Sequence, residues 1–173
     1  TDEMGFTTVF GHDAAGRRIS VTDPLGFEPR FVFDAAGQQV ATVDSLGRRT
    51  QFVFDAAGRQ VGTIFPDGTA RTVDYDALGR RVSETDEAGI ATKFVYLPTG
   101  ELSEVRQPDP QDATVFTTRT RFEYDGLGLK VAQIDALGRT TSFAYSVRSE
   151  LASRARPLGQ AEPFSYDAQG NLA

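Results

Sequence analysis

The side chains in this sequence that could do chemistry come in columns rather than clusters. Its only histidine is His12, so a Ser-His-Asp relay or a His-built metal site would have to be assembled around one imidazole. There is no cysteine, hence no thiolate nucleophile and no disulfide framework. Aspartates recur in Asp-x-x-Gly segments, among them Asp34, Asp44, Asp55, Asp76, Asp86, Asp125 and Asp135. Such turns could hold Ca2+, but calcium-binding β-helical repeats use a shorter, denser Gly-Asp spacing. One Asp per turn reads more simply as an acceptor for backbone N–H groups. An acid/base dyad needs two carboxylates in different environments, and periodic spacing gives them all the same one.

Arg17, Arg18, Arg48, Arg49, Arg59, Arg80, Arg81 and Arg139 follow turn glycines. They read either as solvated strand starts that pair with nearby Asp or Glu, or as a ladder for a polyanion or sugar; the spacing favours the first. A column of Phe and Tyr reads as core before it reads as a carbohydrate platform. His12 stands where other units carry the second aromatic, and so reads as a substitute for Tyr or Phe. The prediction is therefore no enzyme, with no catalytic residue, no cofactor-binding residue, no cofactor and no metal ligand.

Periodicity sets the elements that position these columns. Phe31-Val32-Phe33-Asp34-Ala35-Ala36-Gly37 returns as Phe52-Val53-Phe54-Asp55-Ala56-Ala57-Gly58, an offset of 21. One glycine series runs Gly16, Gly37, Gly58, Gly79, Gly100; a second runs Gly5, Gly26, Gly47, Gly68, Gly89. After an insertion near 107–113, which contains Pro108 and Pro110, the phase resumes at Gly128 and Gly138. Within a unit, apolar residues at i and i+2, such as Phe52 and Phe54, point to one face of a strand. An Asp-to-Gly turn of the type I plus left-handed glycine kind follows. The returning strand carries Ile19, Val40, Val61, Val82 or Val131, and a second Asp-x-x-Gly turn closes the unit.

About eight such units predict an all-β fold of tandem hairpins in one long antiparallel sheet, too many strands to stay open without curling. The sheet is expected to coil, with Phe, Tyr and Val on the inner or packed face and Arg, Gln, Glu and Thr on the other. Residues 1–173 read as a single array, with the insertion as an ordered loop or a longer excursion. Ser146-Val147-Arg148-Ser149 and Leu97-Pro98-Thr99-Gly100 depart from the turn pattern. Leu102, Leu151 and Leu172 sit one place earlier than the usual aliphatic, so a local change of turn or a bulge is expected there. The chain opens inside a second turn, Asp2-Glu3-Met4-Gly5, and stops inside a unit at Leu172-Ala173, which reads as a fragment of a longer polypeptide.

Composition narrows the function classes. A net charge of −6 argues against a nucleic-acid scaffold, which needs a basic stripe. No apolar run approaches a membrane span, and no secretory leader is visible. A globular chain of this length can bury about 70% of its unfolded surface.

Tyr75-Asp76-Ala77-Leu78-Gly79-Arg80, Tyr124-Asp125-Gly126-Leu127-Gly128 and Tyr166-Asp167-Ala168-Gln169-Gly170-Asn171-Leu172 resemble the motif of the RHS/YD repeat family, and the phase extends that resemblance over the whole chain. The resemblance implies a β-sheet that spirals into a hollow shell, as in bacterial polymorphic toxins, insecticidal toxin-complex shells, wall-associated proteins and teneurins. It implies a structural shell segment around a C-terminal toxin or effector domain, in a bacterial protein that is secreted or displayed at the cell surface. The implied partners are that effector and the remaining repeats, with self-association through open sheet edges as a further expectation. The alternative is an adhesive module that binds a glycan or protein. Asp23-Pro24-Leu25-Gly26 resembles the core of the family's self-cleavage motif, but it stands in phase with the second turns and reads as a turn with Pro at i+1.

Overall fold

A computed structural model describes residues 7–167 and 169–172, so the expected second turn at Asp2-Glu3-Met4-Gly5 lies outside the described residues. The described residues contain strands and turns and no helix. The chain forms two compact units. One extends to Gly79 and includes Glu84–Gly89; the other holds Arg80–Ser83 and everything from Ile90 onward.

The first unit contains β1 (Val9–His12), β2 (Arg18–Thr22), β3 (Arg30–Phe33), β4 (Gln39–Val43), β5 (Arg49–Phe54), β6 (Gln60–Ile64) and β7 (Ala70–Tyr75). Each pairs antiparallel with the next in chain order. Residues of β8 (Arg81–Thr85) fall in both units. The second unit contains β9 (Ala91–Tyr96), β10 (Leu102–Pro108), β11 (Phe116–Tyr124), β12 (Lys130–Asp135), β13 (Thr140–Tyr145), β14 (Leu151–Ala155) and β15 (Ala161–Pro163), again antiparallel in chain order. The expected all-β architecture of tandem hairpins, each strand antiparallel to the next, is the observed one.

Alternation is clear in β5, where Thr50, Phe52 and Phe54 are half-buried while Arg49, Gln51 and Val53 are exposed. The register Phe31↔Thr42 and Phe52↔Thr63 continues the aromatic face across the strands. The turns follow from Asp and Gly. In Asp55-Ala56-Ala57-Gly58, the Gly58 N–H donates to the Asp55 carbonyl at 3.0 Å and Asp55 N–H to the Arg59 carbonyl at 2.9 Å. Gly58 closes the turn at φ 78°, where a Cβ would be strained.

Three expectations are corrected. First, the aromatic face is not a closed core. Within each unit, among the described residues, a strand packs only against the strands before and after it, so no second layer of the same unit covers either face. Ala41 and Ala132 are the buried apolar side chains among the described residues, and no large side chain is fully buried. The chain exposes 11587 Å², whereas a compact globule of this mass would expose roughly 8,300 Å² and burial here comes to about 57% rather than 70%.

Second, the irregular turns do not change type. Ser149 adopts φ 62° in place of glycine. The Ser146 hydroxyl accepts from Arg148 N–H at 3.1 Å and Glu150 N–H at 3.4 Å, as an aspartate would. The Leu97 turn closes on the same backbone bonds, Gly100 N–H to the Leu97 carbonyl at 3.0 Å and Leu97 N–H to the Glu101 carbonyl at 2.9 Å.

Third, the bulge expected near Leu102 and Leu151 is not local to those copies. The same register shift falls at Gly11/His12, Val32/Phe33, Val53/Phe54, Leu102/Glu104, Glu123/Tyr124 and Ala144/Tyr145. The left-handed residue at the turn, glycine except for Ser149, places one extra residue on the returning strand each time. The insertion lengthens its hairpin: β10 has 7 residues and β11 has 9, joined by a loop closed by Asp109 N–H to the Val115 carbonyl at 2.7 Å.

Candidate functional site

The aromatic face is the candidate site, and it is assembled from the turns outward. Asp13 Oδ1 accepts from the N–H groups of Ala15 and Arg17, both at 2.9 Å, and Asp13 Oδ2 accepts from Arg17 Nε at 2.7 Å. The same chelate recurs at Asp55 with Arg59, at Asp44 with Arg48 and at Asp135 with Arg139. The backbone N–H and guanidinium of Arg17 hold the Asp13 carboxyl below the usual carboxylate range, and Arg59 does the same to Asp55. For Asp44 the Arg48 guanidinium is the larger cause. At Asp135 desolvation pushes the other way, but the Arg139 N–H and guanidinium together outweigh it.

A turn arginine held this way reaches the following repeat. Arg17 lies 4.9 Å over the Phe33 ring and donates to the Asp34 carbonyl at 3.3 Å. Arg59 lies 4.5 Å over Tyr75 and Arg80 lies 4.6 Å over Tyr96. A second row starts one residue later, at the bulge. Arg18 covers Phe10, Arg81 covers Phe94 at 4.5 Å, and Lys130 lies between Phe122 and Phe143. Cations over rings at these distances attract by about 0.5–1 kcal/mol at exposed sites.

Tyrosine adds a third link. Tyr96 Oη donates to the Arg81 carbonyl at 2.8 Å, Tyr145 Oη to the Lys130 carbonyl at 2.9 Å, and Tyr124 Oη to the Leu102 carbonyl at 2.8 Å. The first two span 15 residues and the third 22, a difference of seven that equals the insertion between Gly100 and Gly128. Burial, and after it the Glu101 carboxylate, raise the Tyr124 hydroxyl above the ordinary tyrosine value.

The lengthened hairpin carries an ionic cluster on the opposite face. Glu104 occupies the mid-strand position that Ala41, Gly62 and Ala132 occupy elsewhere. It accepts from Arg106 at 2.7 Å and from the Thr118 hydroxyl at 3.0 Å, with Arg121 at 3.6 Å. Arg106, ahead of other causes, holds the Glu104 carboxyl below its ordinary range. Lys93 lies 3.8 Å from the Phe116 ring centroid nearby. Near the end of the chain Glu162 pairs with both Arg154 and Arg156.

Of the arginines singled out in the sequence, Arg17, Arg48, Arg59 and Arg139 pair with turn aspartates, and Arg17, Arg18, Arg59, Arg80 and Arg81 cover rings. His12 ends β1 and is exposed. No group of three or more metal-ligating side chains gathers among the described residues. Every carboxyl with a resolved shift is moved down, which fixes it as an anion; a general acid needs the opposite. Sequence reasoning missed the tyrosine link and the stacking of cations on rings. The signal was present in the constant sixteen-residue step from Arg17 to Phe33, Arg59 to Tyr75 and Arg80 to Tyr96.

Comparison with known proteins places this geometry. The profile of the RHS Repeat family matches residues 1–28, 33–70 and 55–92, about half of the chain. No curated protein sequence matches. The fold is similar to that in a crystal structure of TcdB2-TccC3 without its hypervariable C-terminal region, with a TM-score of 0.70 at 17% identity over 96% of this chain. It is also similar to a Photorhabdus luminescens Tc holotoxin pore, with a TM-score of 0.63 at 19% identity over 85% of this chain. At such identities the likeness is one of fold. This chain spans 11% and 9% of the length of those two chains.

Proposed function

Since this chain belongs to the RHS repeat family, we propose that it is a structural segment of an RHS-repeat shell that encloses a C-terminal toxin or effector domain of a secreted bacterial protein. In this reading residues 1–173 are one continuous stretch of wall, and the partners are the enclosed effector and the remaining repeats. The role is non-catalytic, and the protein acts outside the cell that makes it or at its surface.

The observation that carries this reading is how the links are arranged. Arg17, Arg59 and Arg80 from the turns, Arg81 and Lys130 from the bulges, and the hydroxyls of Tyr96, Tyr124 and Tyr145 each tie one repeat to its neighbour. Cohesion therefore runs along the array and does not converge on one point, which suits a wall one layer thick. Limited proteolysis of the parent polypeptide tests it. The effector should resist cleavage while the array is intact and lose that protection when Tyr124→Phe and Tyr145→Phe loosen it. An effector cut equally fast in both would refute the proposal.

A second reading, an adhesive surface for glycans or a protein partner, is favoured by the half-exposed aromatic rings beside arginines. A glycan array without hits, together with Arg→Ala variants that bind cells as well as the parent does, would remove it.

A further inference from the structure

One position breaks the aromatic column. Phe31, Phe52, Phe94, Phe122 and Phe143 open their units, but β7 carries Val73 in that place. Continuing the pairs Ser20↔Arg30 and Ala41↔Gln51 by one residue sets Ile19 against Phe31 and Val40 against Phe52. Continuing Gly62↔Thr72 in the same way sets Val61 against Val73, so this hairpin lacks a ring. The consequence is a wider recess. Between β2 and β3, Asp13, Arg17, Ile19, Phe31 and Phe33 border a recess of about 310 Å³. The corresponding recess between β6 and β7, at Asp55, Arg59, Val61, Val73 and Tyr75, holds about 630 Å³. The smaller one ends at Phe31, whereas the larger runs past Val73 to Thr63 and Arg71.

We propose that the recess at Val73 is a binding site for a single uncharged aromatic ring, the size of the phenylalanine side chain that other repeats carry there. Three observations select that ligand. The recess is balanced in charge, because Arg59 pairs with Asp55 at 2.7 Å and Arg71 with Glu87 at 3.0 Å. Both of its cations are thus already neutralised, which disfavours an anionic ligand. The Thr63 hydroxyl accepts from the Gln60 amide at 2.9 Å. A sugar, which needs several hydrogen bonds, finds these groups engaged, while Val61 and Val73 offer an apolar floor. Third, Arg59 is held by Asp55 and lies 4.5 Å over the Tyr75 ring. Lys130, between Phe122 and Phe143, shows that one cation of this array can serve two rings. A ring entering beside Val73 gives Arg59 its second, which an aliphatic side chain does not. The walls are in place before the ring arrives, which reduces the cost of binding. A phenylalanine or tyrosine side chain of a polypeptide and a free aromatic compound share this chemistry. The site does not depend on whether the array encloses an effector.

Titration with N-acetyl-phenylalaninamide, followed at the methyl NMR signals of Val61 and Val73, tests the site. Those signals should shift through ring currents and saturate with a dissociation constant of about 1 mM, the range for so small a ligand. Val73→Phe restores the residue of the other repeats, so its circular dichroism should match the parent's. Read at Val61, it should weaken binding at least about tenfold. Benzyl alcohol separates the two sources of the ring. Affinity equal to that of the amide supports a free aromatic compound, and affinity about tenfold weaker supports a polypeptide side chain. N-acetyl-leucinamide binding as tightly as the phenylalanine amide would overturn the proposal. So would undiminished binding to Val73→Phe, or no shift up to about 20 mM amide. Shifts with methyl β-glucoside but not with the aromatic amide would overturn it as well.

Discussion

Replacing Tyr145 with phenylalanine removes one hydroxyl and nothing else from the ring. That hydroxyl donates to the Lys130 carbonyl at 2.9 Å, beyond the last pair of the β12–β13 ladder, Ala132↔Ser142. The ladder stops there because the bulge has turned the returning strand, so the tyrosine supplies the donor that the backbone does not. A neutral hydrogen bond of this kind is worth about 1 kcal/mol net, and a half-buried carbonyl recovers part of that from water. Tyr145→Phe should therefore lower stability by about 0.5–1.5 kcal/mol. The reverse change makes the reasoning stricter. Counting back 15 residues, as from Tyr96 to Arg81, Phe54→Tyr should find the Gln39 carbonyl and stabilise the first unit by a similar amount. Urea unfolding followed by circular dichroism measures both, and hydrogen exchange at the β12 and β4 amides localises the changes, since an array need not unfold in a single step. A midpoint unmoved by Tyr145→Phe, or lowered by Phe54→Tyr, would refute the idea that this hydroxyl clamps successive repeats.

Three further outcomes follow from the same geometry. Asp13, Asp44, Asp55 and Asp135 have lowered pKa values in the fold, so their contribution is complete above the unfolded value of about 3.9 and is lost as pH falls through the lower folded values; thermal melts should be flat from pH 8 to about pH 5 and fall below about pH 4. Ser149→Gly should stabilise the β13–β14 hairpin by about 0.5–1 kcal/mol by relieving φ 62°, whereas Gly58→Ala should cost about 1–2 kcal/mol; urea midpoints read both. Glu104→Ala restores the small residue seen at Ala41 and Ala132 but frees Arg106 and Arg121, so exchange at the Arg106 and Thr118 amides should quicken while β12–β14 stay protected.

How far the fold was legible depends on the range of the interaction concerned. Asp55 and Gly58 dictate a turn through their own backbone geometry, and Phe52 and Phe54 share a face because side chains alternate along a strand. Both are local, so a periodic sequence states them again in every unit. At Ser146–Ser149 the sequence leaves a change of turn or a bulge open; the structure shows a bulge with the usual turn, because the Ser146 hydroxyl replaces the carboxylate and Ser149 adopts φ 62°. Whether the aromatic face is covered was not legible for a different reason. Alternating polarity shows that one face is less polar, but it does not say whether another layer arrives to cover it.

The sequence by itself determined the period, the strands, the two turns of each unit and the family, because all of these rest on contacts between residues close in the chain. Only the tertiary structure decided what holds one repeat to the next. Arg59 could have faced solvent or a ring, and Tyr145 could have left its hydroxyl in water. Which of these occurs depends on the bulge that aims one strand's side chains over its neighbour, a relation between backbones that no single repeat contains.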